Sequence, residues 1–224
     1  MCIRDRFGTD QFGRDILSRT IWAARVDLQI ATFAVAGPLL VGGLLGLLAG
    51  YRHGWTDVLV GRAMDVIVTF PFLVLVIAIV AVLGPGLRNM YVAVAIAGWV
   101  PYARLMRGEV AVVAASDYVM AARGLGYTMP RILGKHIVPN AVRALLAYAV
   151  SDMALAILLG SSLGYLGLGA QPPEAEWGVL VADGKNFLEQ APWISLCPGA
   201  AILLAGLGFT LLGDGLADKL EVRR

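Results

Sequence analysis

The chain has 224 residues, 58% of them apolar and only 15% charged, against about 45–50% and about 25% in soluble globular domains. That apolar excess is more than one buried core absorbs, so lipid is part of the solvent and a soluble domain is excluded. A net charge of +2 without a long basic run argues against a polyanion partner, and Cys2 and Cys197, far apart and outside any CxxC pair, carry no metal or redox motif.

In chain order, residues 1–6 are charged and lack an apolar run, so they are not a signal peptide. They read as a non-native leader, and 7–27 reads as an extracytoplasmic segment with Arg14, Arg19 and Arg25. Apolar stretches at 28–50, 63–83, 90–106, 144–168 and 194–212 each approach the roughly 20 residues that cross a bilayer. Backbone groups in lipid must be satisfied within the segment, so these are helices. The expectation is an all-α polytopic membrane helix bundle over 28–224, with about five transmembrane helices present. Gly42, Gly43 and Gly46 suit close helix packing. Pro71 and Pro101 are expected to kink their spans, and Arg62 and Asp65 to pair at i, i+3. Tyr91, Trp99, Tyr102 and Trp193 suit the membrane interfaces, and His53 and His136 solvated or interfacial positions. Asp152 lies inside the fourth span, where it either lines a wet translocation path or bonds a neighbouring helix.

Lys and Arg concentrate on the inner side of membrane proteins. Arg52 and Arg62 follow the first span, Arg104, Arg107, Arg123, Arg131, Lys135 and Arg143 surround the connection between the third and fourth, and Lys219, Arg223 and Arg224 end the chain. The opposite loops hold only Arg88 and Lys185. The long loop and the C-terminus are therefore expected to be cytoplasmic and the N-terminus outside, which calls for an earlier span to deliver it.

The connection at 107–139 is long for a bundle loop and carries helix signals. Ser116 can cap a helix, with Asp117 at the positive end of its dipole. Tyr118, Val119, Ala121, Ala122 and Leu125 supply a small apolar face, and Gly124 and Gly126 are expected to stop the helix. Thr128 can cap a second helix with Pro130 in its first turn, and Pro139 with Asn140 is expected to break the chain before the fourth span. A helix of this kind either lies on lipid headgroups or docks in a partner's groove.

Here the residues resemble a family. Met120-Ala121-Ala122-Arg123-Gly124-Leu125-Gly126, followed by Ile137-Val138-Pro139, resembles the EAA loop of bacterial ABC importer permeases. Ala121, Ala122, Gly126 and Pro139 fall on the motif, whereas Met120 stands in place of its Glu and Val138 in place of its Leu. Gly8-Thr9-Asp10-Gln11-Phe12-Gly13-Arg14-Asp15, with Ser18, Arg19, Ala24 and Arg25, is similar to the stretch before the second span in the dipeptide/oligopeptide (and nickel) class. Tyr165-Leu166-Gly167-Leu168-Gly169 with Gln171, Pro172, Pro173, Trp177 and Gly178 is similar to that class's outer loop, and Leu212-Gly213-Asp214-Gly215-Leu216 with Asp218 to its C-terminal signature. The resemblance covers 7–224 and implies a type I ABC importer permease fold whose usual first span would precede Gly8. Gly160 stands where many relatives carry Glu.

No Walker A motif is present: Gly134-Lys135-His136 and Gly184-Lys185-Asn186 lack the glycine spacing and the Ser/Thr. The resemblance implies a transporter subunit that is not itself an enzyme and binds no cofactor, with ATP and Mg on two separate ATP-binding subunits. A second permease subunit, expected to be a different chain of the same fold, and an extracytoplasmic solute-binding protein would complete an importer of dipeptides, oligopeptides or related small solutes in a bacterial or archaeal inner membrane. The resemblance assigns the coupling contact to Ser116, Asp117, Tyr118, Met120, Ala121, Ala122, Arg123, Gly124, Gly126 and Pro139. The outer loop with Glu174, Glu176, Asp183 and Glu189 is either a docking surface or simply solvated. A secondary transporter would need several ionisable residues at the midplane, and only Asp152 qualifies. An intramembrane enzyme would need a base near Ser161 or Ser162, and neither has a His or Lys close in sequence.

Overall fold

The computed structural model describes residues 8–52 and 54–221. The leader at 1–6 with Cys2, together with Phe7, His53, Arg223 and Arg224, lies outside the described residues.

Asp15 starts the first helix, α1 (Ile16–Tyr51), by accepting the Ser18 N–H at 2.7 Å. Thirty-six residues at about 1.5 Å each make a helix of roughly 54 Å, longer than a hydrocarbon core of ~30 Å. The segment expected to be separate at 7–27 is thus already helical from Ile16 onward. The chain returns through α2 (Trp55–Val68) and α3 (Phe72–Leu83), which meet at 87° beside Pro71. Proline lacks an N–H and disfavours helical backbone in the residue before it, which places the bend there. The next helix, α4 (Leu87–Ala114), runs through Pro101 without a break.

After α5 (Asp117–Gly124) and α6 (Met129–Ile132), a π-helical turn at Leu133–Ile137 leads into α7 (Val138–Tyr165). Residues 129–165 therefore form one 37-residue helix, and the expected break at Pro139 does not occur. The Val138 N–H bonds the Leu133 carbonyl, five residues back, so the register has already shifted when the chain reaches the N–H that proline lacks. The loop expected at 107–139 shrinks correspondingly: its first residues belong to α4 and its last to α6–α7. The short α8 (Trp177–Gly184) and the long α9 (Trp193–Glu221) complete the bundle.

Among the described residues, α1, the 129–165 helix and α9 are long and apolar enough to cross a membrane, and the bent α2–α3 pair can count as a fourth span. The expected third span at 90–106 lies in α4, which is not in that set. Arg88, Asn89, Arg104 and Arg107 dilute its apolar run, and much of it is sheathed by protein, with Met90, Ala97, Tyr102 and Met106 buried. Its main neighbour is α1. Gly42, Gly46 and Gly50 recur every four residues on one face of α1. A Cβ on Gly46 would sit 2.5 Å from the Ala103 carbonyl oxygen, one on Gly50 2.7 Å from that of Arg107, and one on Gly42 would overlap that of Trp99. Small residues at this spacing let the two backbones touch. Gly43 faces α7 instead, beside Leu145.

Other expectations shift. Trp99 and Tyr102 are buried in the core instead of lying at an interface. Tyr91 packs against Phe33 with ring centroids 5.4 Å apart, and Trp193 covers Gly8. Arg62 and Asp65 are exposed, and the ion pair in that region joins Asp57 of α2 to Arg107 of α4 at 2.7 Å.

Candidate functional site

One end of the bundle gathers Tyr51, the end of α4, α5 and α6. Ser116 occupies the N-cap of α5, but its hydroxyl donates back to the Val113 carbonyl at 2.6 Å instead of capping. Asp117 stands in the first turn, as expected. The apolar face is narrower than its sequence suggests. Val119 and Ala122 are buried, whereas Tyr118, Met120, Ala121 and Leu125 are exposed together with Asp117 and Arg123. Gly126, at φ +77°, makes the stop. Its N–H bonds the Arg123 carbonyl and the Tyr127 N–H bonds that of Ala122, a Schellman turn. Gly124 is still helical and ends α5 without making the turn. Arg131 then lies 4.3 Å over the Tyr127 ring, and Asn140 of α7 donates to the Tyr118 hydroxyl at 3.3 Å. Pro139 is exposed on α7, so Tyr118 is the member of the expected set that reaches that helix directly.

Asp152 lies midway along α7. The Tyr102 hydroxyl of α4 donates to it at 2.6 Å, and Tyr102 packs edge-on against Tyr148. Asp152 also lines a cavity of about 210 Å³. Asp152 thus bonds a neighbouring helix, the structural alternative for it, and also borders a cavity.

The opposite end carries a polar cluster that the sequence did not single out. Asp27 and Glu176 are fully buried. The Trp177 N–H donates to Asp27 at 3.1 Å and the Ser161 hydroxyl at 3.4 Å, while the Trp177 indole N–H reaches the Thr20 carbonyl at 2.8 Å. Glu176 caps α8 by accepting from Gly178 and Val179 N–H at 2.7 and 3.1 Å. Gly164 leaves room for this carboxyl, which a Cβ there would overlap. Burial pushes the Glu176 carboxyl above its usual range, against the pull of its N–H donors. So Glu176 is not part of a solvated loop, although Glu174 and Glu189 are exposed. Gly160 packs on Ile30, whose Cγ2 lies 2.5 Å from where a Cβ would be, which leaves no room there for a longer side chain.

The Gly8 motif folds beside this cluster. Asp10 accepts from Phe12 and Arg14 N–H, both at 2.9 Å, and from the Arg14 and Arg19 guanidinium groups at 2.6 and 2.9 Å. Burial would raise its carboxyl, but the Arg14 and Phe12 hydrogen bonds and the Arg14 charge outweigh that and hold it below its ordinary range. Arg14 and Arg19 also approach Asp183 of α8, at 3.9 and 3.8 Å. A sequence signal was present in the density of Arg and Asp at 10–19; for Asp27 and Glu176, 149 positions apart, there was none.

The family described as binding-protein-dependent transport system inner membrane component matches residues 42–224. The dipeptide transport system permease protein DppC of Alkalihalophilus pseudofirmus is 45% identical over 215 residues, covering 96% of this chain and 71% of that protein. The glutathione transport system permease protein GsiD of Pectobacterium atrosepticum is 41% identical over 214 residues, with the same coverage of 96% and 71%. Among solved structures, an inward-facing MetNI methionine ABC transporter superposes with a TM-score of 0.75 at 14% identity, over 91% of this chain and 97% of that one. An amino acid ABC transporter with histidines does so at 0.69 and 18% identity, over 91% and 94%. At such identities the superpositions establish the fold, an ABC importer permease bundle. ATP-binding and substrate-binding partners and a multi-pass place in the inner membrane follow for the family. The chain belongs to the binding-protein-dependent transport system inner membrane components, and it is the membrane-spanning permease subunit of an ATP-driven importer, not an enzyme.

Proposed function

We propose that this chain carries dipeptides, oligopeptides or related small solutes by alternating access, through a path shared with a second permease subunit that is a different chain of the same fold. Two ATP-binding subunits dock on the end that holds α5. They carry the ATP and Mg, and this chain binds no cofactor of its own. That end is cytoplasmic and includes the C-terminal end of α9, whose Leu220 shares a cavity with Tyr118 and Arg143. A solute-binding protein delivers cargo at the opposite end, in the membrane of a bacterium or archaeon.

The observation that carries the coupling role is the two-sidedness of α5. Val119 and Ala122 anchor it to the bundle, while Met120, Ala121 and Arg123 stand outward and Gly126 locks the turn behind it. A helix fixed below and bare above transmits a push from a partner's groove. Ser116, Gly124 and Gly126 shape its ends, Pro139 stands exposed on α7 beyond it, and Asp152 belongs to the wall of the path. Peptide cargo is supported by the dipeptide and glutathione permeases to which the chain is similar.

Reconstitution of the complete importer in liposomes tests this reading. Radiolabelled alanyl-alanine is expected to accumulate only with ATP and the solute-binding protein present. Accumulation that ignores ATP, or none with an assembled and ATP-hydrolysing complex, would contradict it.

A further inference from the structure

Two cavities lie in series along one face of α7. The larger, about 470 Å³, sits toward the coupling end and is lined by Asn140, Arg143, Tyr148 and Ser151 of that helix together with Glu109 of α4. The smaller, about 210 Å³, is lined by Tyr148, Asp152, Leu155 and Leu159. Tyr148 belongs to both, so its ring is the partition between them. Asn140, Ala144, Tyr148, Asp152, Leu155 and Leu159 recur at steps of three or four residues, which makes one continuous stripe.

The chemistry of the two differs. The larger cavity holds both signs of charge, in Glu109 and Arg143, and so selects neither. The smaller holds one charged side chain, Asp152, and no cationic one; its other walls are apolar or aromatic, including Phe72 and Tyr148. A carboxylate at mid-helix is costly unless met by a partner. The Tyr102 hydroxyl supplies one hydrogen bond at 2.6 Å, which a neutral donor can give without cancelling the charge. One carboxylate in a cavity that two aromatic rings also line is a pattern that receives an organic ammonium, by charge pairing and by cation–π attraction together. The volume limits what enters: it is below the 300 Å³ or so of a whole drug-sized ligand site and suits a single amino-terminal residue.

We infer that Asp152, with the Tyr148 and Phe72 rings, forms a subsite for the ammonium group of a cargo molecule, and that Tyr148 separates this subsite from the mixed-charge cavity below. The inference rests on the reading of the α7 face as part of the translocation path, and it assigns to that path a preference for cargo with a free amino terminus.

The test uses the complete importer in nanodiscs, with Cys2 and Cys197 replaced by alanine and Leu155→Cys placed one helical turn from Asp152. Labelling rates are measured with a trimethylammonium and a sulfonate methanethiosulfonate reagent of similar size, each divided by that reagent's own rate with a free thiol in solution. The cationic reagent is expected to react faster by roughly tenfold or more, as an uncompensated carboxylate nearby dictates. Asp152→Asn, which keeps an acceptor for Tyr102, is expected to bring the two rates together, and Tyr102→Phe, which keeps the charge, to preserve the difference. Alanyl-alanine is expected to slow labelling and N-acetyl-alanyl-alanine to leave it unchanged. Equal rates in the parent protein, a preference that survives Asp152→Asn, or equal protection by the two peptides overturns the ammonium subsite and leaves the path reading standing. A cysteine that neither reagent reaches overturns both.

Discussion

The two ends of the bundle solve opposite problems. At the end that holds α8 each buried carboxylate is met by groups of the same chain: Asp10 by two N–H groups and two guanidinium groups, Asp27 by Trp177 and Ser161, Glu176 by the first turn of α8. At the other end, α5 is anchored by Val119 and Ala122, while Tyr118, Met120, Leu125 and Met129 lie roughly half exposed or more. Burying polar groups without partners is costly, so a closed network fixes one arrangement and tolerates little change. Apolar side chains left outward on a short, anchored helix mark a surface that a partner or the membrane covers. The α8 end is therefore expected to respond to substitution through stability, and the α5 end through function at nearly constant stability.

The most damaging change should be one that separates the helices on which both ends depend. Gly46→Leu drives a side chain into the Ala103 backbone of α4. A cost on the order of 3 kcal/mol or more follows, read as loss of monodisperse complex in size-exclusion chromatography. Next comes Glu176→Ala, which removes the cap of α8 and leaves the Gly178 and Val179 N–H groups without their acceptor. A loss of about 2–4 kcal/mol is expected, measured as a lower thermal midpoint in detergent.

That second prediction also marks what the sequence could convey. The apolar runs, the Pro71 bend, α5 and its Gly126 stop were legible because each is a local signal of period, cap or backbone freedom. Asp27 and Glu176 were not: their meeting depends on how α1 and α8 pack, and Glu176 read alone looks like one more acid in a polar loop. The same holds for Pro139, a helix breaker by local rules that a π turn just before it accommodates. Tyr102 and Trp99 carried the composition of interface residues, and only the closeness of α1 to α4 turns them inward.

A smaller effect is expected from Asp10→Asn, about 1–2 kcal/mol after allowance for the half-exposed Arg14. Its pH dependence has a definite sign. The Asp10 carboxyl is held below its ordinary 3.8 in the folded protein, so its contribution is complete above 3.8 and is lost as pH falls through the lower folded value. Thermal melts of the parent below that pH should lose this increment, and those of Asp10→Asn should not. The smallest change in stability belongs to Met120→Ser, exposed on α5, at within about 0.5 kcal/mol. The same variant should nevertheless lower ATP-driven uptake; unchanged uptake would remove the functional half of the contrast between the two ends.

Disulfide crosslinking between α5 and an ATP-binding subunit tests the coupling assignment most directly. A cysteine at Ala121, which faces outward, and one at Ala122, which faces the bundle, are compared against cysteines placed along the partner's groove, in a background without Cys2 and Cys197. The expected result is a crosslink at Ala121→Cys whose yield changes when ATP is added, with little or none at Ala122→Cys. An assembled complex in which neither position crosslinks, or in which the yield ignores ATP, would place α5 on the membrane surface and contradict its role as the coupling helix.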